Sequence, residues 1–228
     1  MIIRVFHAEA KPGQTSAMEE KFRVSLFSSV RALPGLLALL PGRPADAAGR
    51  GFAMITVWDS PASLVAFTGP DWRRTVIPTG ALPFLASCTV EHFEFYGDPA
   101  TDPLPGRPSP IAAGTPPADA AMIIRIFRAV VRPGLAGAFE ANTRDFSLPT
   151  VRTHPGLLAF FPGRPVDGAG GTFIMITVWD SLASIEAFTG PDWRRAVLPA
   201  AEQPLLESCS VEHLKFFSPP AAAAPPSA

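Results

Sequence analysis

The chain has no long apolar run, no excess of either charge and only two cysteines, and each shortage removes a class of function. Spanning a bilayer with a helix takes roughly 18–20 consecutive apolar residues, which no segment supplies. The start, MIIRVF, reads as a strand and lacks the charged, apolar and small-residue zones of a signal peptide, so a cytoplasmic location is expected. Nineteen basic against twenty acidic residues give no basic stripe, which argues against nucleic acid or an anionic membrane as partner. Cys88 and Cys209 form no CxxC or Cys/His spacing that would suggest a metal site. They read as small buried thiols; a disulfide between them would need a symmetry axis close by. A nucleophile elbow, a phosphate loop and a nucleotide fingerprint are all missing.

What the chain does contain, it contains twice. Residues 1–96 and 122–217 align without a gap, Met1 on Met122, with more than half of the pairs identical. MIIRVF returns as MIIRIF and PGRPADAAG as PGRPVDGAG, while MITVWDS and AFTGPDWRR recur unchanged. A tandem copy predicts an internal pseudo-two-fold axis, so that one chain does the work of a homodimer and could associate further. Between the copies, residues 97–121 carry Pro99, Pro103, Pro105, Pro108, Pro110, Pro116 and Pro117. Such a linker reaches roughly 75 Å at about 3.1 Å per residue, enough for almost any mutual orientation. The tail, 218–228, is Pro/Ala-rich and reads as disordered.

Each copy reads strand, helix, strand, strand, helix, strand. Ile2–Ala8 is β-rich; Met18, Phe22, Leu26, Val30 and Leu33 follow at helical spacing. Leu36–Leu40 is a short apolar strand that PGRP should stop, and Phe52–Trp58 is a third. Ser60 with Pro61 opens a helix that breaks at Gly69-Pro70 and should restart at Asp71. Thr89–Tyr96 is the last strand. In the second copy Pro149 replaces Ser28 and should kink or shorten the first helix. The order βαββαβ is that of the α+β ferredoxin-like fold, a four-stranded sheet with both helices on one face. The strands are almost continuously apolar, as strands buried on both faces are. The sister repeat is the obvious cover for the second face, which predicts two sheets packed into an eight-stranded barrel.

The IIRVF strand, the PG turns, PGLLA, ITVWDS followed by a helix, and VEHFEF resemble the antibiotic biosynthesis monooxygenase domain of the dimeric α/β-barrel superfamily. The resemblance covers both repeats. It implies a cofactor-independent monooxygenase of a planar phenol, anthrone or quinol, with dioxygen as co-substrate and no metal or flavin. The alternatives are a non-catalytic barrel holding an apolar ligand or serving a stress response, and an isomerase of the same superfamily. Fold alone does not choose among them. Family members often carry a histidine on the helix after the VW strand; here that place holds Phe67 and Phe188. A second falls near Asp71 and Asp192. Neither 60–82 nor 181–203 contains a histidine, which argues against the haem-degrading scheme of related barrels.

Identity between the copies is sparse over 14–33 and dense over 34–44, 52–60, 66–74 and 87–92. Strand alternation puts Arg4 and Phe6 on one face of the first strand, and Met54, Thr56 and Trp58 on one face of the third. All five recur, as Arg125, Phe127, Met175, Thr177 and Trp179, and are read as lining a cavity between sheet and helices. Trp58 and Trp179 would wall such a cavity for a flat substrate, or simply pack the core. Phe67 and Phe188 would join that lining. Trp72 and Trp193 could gate the cavity or staple the helix restart. A cation inside an apolar strand needs a partner or a purpose. For Arg4 and Arg125 the purpose would be to stabilise a phenolate or enolate; the alternative is an ion pair with Glu91 or Glu94. His92 and His213, the histidines at equivalent positions, are candidate general bases or structural residues at the inter-repeat face. Arg73 and Arg74 read as solvated charge.

Overall fold

Eight strands close into one antiparallel ring in the computed structural model, which describes residues 1–22, 30, 33–45, 51–77, 79–98, 122–166 and 171–217. The first repeat supplies β1 (Ile2–Ala10), α1 (Thr15–Lys21), β2 (Leu36–Pro44), β3 (Gly51–Trp58), α2 (Pro61–Thr68) and β4 (Leu85–Phe95). The second supplies β5 (Ile123–Val131), α3 (Ala136–Asn142), α4 (Leu148–Arg152), β6 (Leu157–Pro165), β7 (Thr172–Trp179), α5 (Leu182–Thr189) and β8 (Leu206–Phe216). Around the ring the order is β1-β3-β2-β8-β5-β7-β6-β4. Two βαββαβ halves thus form an intramolecular dimeric α/β barrel, as the sequence pattern predicts.

The ring is filled from both halves. Ile3, Val5, Leu40, Ile55, Val57, Ile124, Ile126, Phe161, Ile176 and Val178 are fully buried in one interior cluster. Burying each such side chain contributes about 1.5–3 kcal/mol. Backbone pairing between the halves is scant by comparison: β2 meets β8 over Gly42–Pro44, and β4 meets β6 over Phe93–Phe95. Side-chain packing therefore joins the repeats more than hydrogen bonding does. PGRP does not stop β2, as the sequence suggested. Pro44 closes the strand, and Gly42 and Arg43 carry it across the seam to Phe216 and Lys215. Glycine is required at both seams: a Cβ on Gly42 would lie 2.6 Å from Leu214 Cβ, and one on Gly163 2.7 Å from both Ile174 Cγ2 and Phe93 Cβ.

At one end of the interior the apolar filling gives way to charge. His7 and Arg128 occupy equivalent positions, as do Glu91 and Glu212. His7 Nε2 lies 2.9 Å from Glu212, and Arg128 reaches Glu91 at 2.9 Å and Glu212 at 3.4 Å. Burial alone would raise the Glu212 carboxyl, but the bonds from His7 and Arg128 hold it below its ordinary value.

The helices lie on the outer face. Ser60 caps α2 by accepting from the Ser63 backbone N–H at 3.2 Å, with Pro61 in the first turn. Ser63 in turn donates to Asp59 at 2.6 Å. This box fits against Gly35, whose φ of 78° and contact with Ser63 leave no room for a side chain. The helix does not restart at Asp71. Asp71–Arg74 is a turn closed by Arg74 N–H donating to the Asp71 carbonyl at 3.0 Å, and a 3-10 segment follows at Thr79–Phe84. In the second repeat the first helix is divided. A π-turn at Thr143–Ser147 separates α3 from α4, and Pro149 is the second residue of α4. Leu26, most of the 97–121 linker and the 218–228 tail lie outside the described residues.

Replacing Gly163 by Val should overpack the β4–β6 seam and lower stability by about 1–3 kcal/mol, read from urea unfolding. An unchanged urea midpoint would mean that the seam is not close-packed.

Candidate functional site

Register settles which residues share a face. Arg4 on β1 lies opposite Thr56 on one side and His92 on the other; its outward neighbours Ile2 and Phe6 face Trp58 and Met54. The second repeat repeats this row as Thr177, Arg125 and His213, with Trp179 opposite Ile123 and Met175 opposite Phe127. The set chosen from sequence therefore does share one side of the sheet, the side covered by helices and by the turn after α2. His92 is on that side too, away from the interior where the repeats meet.

Arg4 is 1% exposed and Arg125 5%. One guanidinium nitrogen of Arg4 donates to the Arg74 carbonyl at 3.0 Å, and Arg125 does the same to Arg195 at 3.1 Å. The Nε of each is buried without a partner. The ion pair considered from sequence does not form: Glu91 faces the interior and binds Arg128, while Glu94 binds Arg164 at 2.9 Å. Among the described residues no carboxylate bonds either arginine. Desolvation lowers both to about 10, so both stay cationic at neutral pH.

His92 meets Trp72 edge-on, with ring centroids 4.7 Å apart, and Arg73 stacks over that indole at 4.5 Å. His213, Trp193 and Arg194 reproduce the arrangement at 4.5 and 4.2 Å. In each histidine Nε2 is buried with no hydrogen bond. Burial first, then the nearby arginine charges, push both imidazoles down to about 4. Trp72 thus sits in the turn as half-buried packing against His92, with no helix restart to staple.

Trp58 and Trp179 are fully buried. Their indole N–H groups donate to Thr56 and Thr177 at 2.9 and 2.8 Å, and their rings stack on Phe67 and Phe188 at 5.3 Å. Phe6 and Met54 instead line a narrow apolar crevice of about 10 Å³, with Phe22, Pro41, Phe52 and Phe217. The corresponding Phe127 and Met175 belong to an apolar cluster that also takes in Phe139, Phe173 and Tyr96. His154, passed over because its twin is Leu33, meets Phe188 edge-on at 4.8 Å. Its signal in the sequence is a difference between the copies, a histidine where the first repeat has Leu33. Among the described residues no group of His, Cys, Asp or Glu could hold a metal ion, and no helix is long and apolar enough to cross a membrane.

A neutral imidazole whose Nε2 has no hydrogen bond, beside a desolvated guanidinium with a spare N–H, can receive a proton while the guanidinium holds the anion left behind. Comparison with known proteins agrees with the fold. The family described as antibiotic biosynthesis monooxygenase matches residues 1–76 and again 122–197. Among solved structures, a proposed monooxygenase from Lactobacillus acidophilus superposes with a TM-score of 0.63 at 12% identity, over 94% of this chain and 93% of that one. One from Fusobacterium nucleatum gives 0.65 at 9%, over 94% and 91%. An anthrone oxidase-like protein gives 0.59 at 14%, over 98% and 95%. No curated protein matches.

The lowered histidines make stability depend on pH. Between about pH 6.5 and 4 the unfolded chain protonates His92 and His213 while the folded chain does not, so stability falls as pH drops through that window. The urea midpoint should be lower at pH 5 than at pH 7, and a His92→Phe/His213→Phe variant should lose less. An equal loss in the variant would contradict the burial of these rings.

Proposed function

Since the chain belongs to the antibiotic biosynthesis monooxygenase family, we propose that it oxygenates a planar phenol, anthrone or quinol with dioxygen and without a bound cofactor. The observation that carries this reading is the buried pair Arg4–His92, repeated as Arg125–His213, in which no carboxylate among the described residues bonds the cation and the imidazole Nε2 has no hydrogen bond. Nε2 of the histidine takes the substrate proton, and the electron pair stays on the substrate as a phenolate or enolate beside the guanidinium. A histidine held near 4 is a weak base in the empty site. Once an anion lies against Arg4, the repulsion between guanidinium and imidazolium is offset and the proton is held more easily.

The anion then passes one electron to dioxygen. Superoxide and the substrate radical combine to form a C–O bond, and the resulting peroxide takes back the proton from the imidazolium. With an anthrone, loss of water from that hydroperoxide leaves a carbonyl where the methylene was, so one oxygen atom is retained and the other departs as water. The protein contributes orientation, charge and exclusion of solvent. The fold shared with an anthrone oxidase-like protein makes anthrones the first substrates to try.

The alternative is a barrel that only holds an apolar ligand, although the crevice beneath Phe6, Phe22 and Met54 has room for about one water. Oxygen uptake separates the two. With an anthrone and metal-free, flavin-free protein, uptake should exceed autoxidation. It should fall about 100-fold or more in a folded Arg4→Met/Arg125→Met variant, the scale of losing an anion-stabilising donor. No uptake across anthrones and hydroquinones would leave the binding reading.

A further inference from the structure

The two repeats exchange their ends, and the exchange is unequal. After β4, Tyr96 crosses into the second repeat, its N–H donating to the Pro162 carbonyl at 3.2 Å; Phe217, its twin, crosses into the first and donates to Pro41 at 3.2 Å. Phe217 arrives among apolar side chains. The second repeat instead buries a carboxyl close to Tyr96. Glu202 is 3% exposed, and no cation among the described residues pairs with it. Its backbone is fixed at the entry to β8, where its N–H donates to the Pro199 carbonyl at 2.9 Å and its carbonyl accepts from Leu205 at 3.0 Å. Its side chain accepts a short hydrogen bond from the Ser147 hydroxyl.

Ser147 ends the π-turn, where the helix is already widened, and α4 follows directly. That short helix covers part of the outward face. Leu148 and Val151 are buried in one cluster with Phe160, against which Phe188 packs. Phe188 in turn stacks on Trp179, has the Arg125 guanidinium 6.0 Å from its ring centre and meets His154 just beyond α4. The bond from Ser147 to Glu202 therefore ties the cover of the Arg125 face to the turn before β8. The first repeat has no such tie, because the positions of Ser147 and Glu202 hold Leu26 and Ala81.

Burial raises the Glu202 carboxyl more than the Ser147 bond lowers it. The other titratable groups about it are the Tyr96 phenol, Glu140 on α3 and Arg144 in the π-turn. The closed arrangement thus favours a neutral carboxyl, and an ionised one gains by reaching water. We propose that Ser147 and Glu202 form a pH-sensitive latch in the second repeat alone. It holds α4 over the Arg125 face while Glu202 carries its proton, and it lets α4 swing at the π-turn when that proton leaves to solvent. Access to the second outward site then widens as pH rises. This rests on the proposed function only in taking the Arg125 face as a site, and it requires no oxygen reaction.

The test is hydrogen–deuterium exchange of the full chain, with each amide corrected for its intrinsic rate. From pH 5 to pH 8 the protection of Val151, Arg152 and Thr153 should fall about fivefold or more, while that of α5 does not. The lowered histidines act in the opposite sense, stabilising the whole fold as pH rises, so a fall confined to α4 reports local opening. Glu202→Gln cannot ionise and should keep α4 protection constant over this range. Ser147→Ala should lower it at pH 5 to the wild-type level at pH 8.

Constant protection in the wild type, the same fall in Glu202→Gln, no loss in Ser147→Ala, or a fall shared by α5 would each overturn the latch. Oxygen uptake measured on the same samples keeps the two ideas apart: it can fail while α4 exchange follows Glu202, or hold while exchange ignores it.

Discussion

Two four-stranded sheets, each apolar on both sides, can hide their second faces only against each other. Everything else in this chain follows from that constraint. The interior claims Ile3, Val5, Ile55, Val57 and their twins, so strand alternation sends Ile2, Arg4, Phe6 and Thr56 outward to the helices. With short hydrogen-bonded seams at β2–β8 and β4–β6, the halves are held by this filling, by the charge cluster of His7, Glu91, Arg128 and Glu212, and by the exchanged aromatic ends. A register slip of one residue would put Arg4 into the interior.

The outward face is where the chain tolerates polar groups that pure stability would remove. An apolar residue at Arg4 would avoid burying a guanidinium whose Nε has no acceptor, and a phenylalanine at His92 would avoid an unbonded Nε2. Both survive in both copies, side by side on paired strands. The turn at Asp71–Arg74 supplies their lid, with Trp72 on the histidine and the Arg74 carbonyl on the arginine. Because that segment is a turn and not a helix, the Arg74 carbonyl at its end is free to accept from Arg4.

Much of this was legible in the sequence. The gapless repeat and the unbroken apolar strands predict the barrel, and alternation on the first and third strands selects the correct outward set. The last strand was harder. Its Glu91, His92 and Glu94 are all polar, and only pairing with β1 shows that Glu91 turns inward while His92 stands beside Arg4. PGRP looked like a stop because proline and glycine usually end strands, yet at a seam glycine is what allows close approach. For Trp58 the sequence leaves cavity wall and core packing open; its N–H is satisfied by Thr56 and its face by Phe67.

Selective labelling of the histidines, with the His92 and His213 resonances assigned by single substitution, would test the central claim most directly. If these imidazoles are desolvated beside Arg4 and Arg125, their nitrogen shifts remain those of neutral rings at pH 6 and move only as pH approaches about 4. Titration of either ring near the unperturbed value of about 6.5 would contradict the account. It would mean that water reaches the pair, and that the outward face holds no preformed site for an anion.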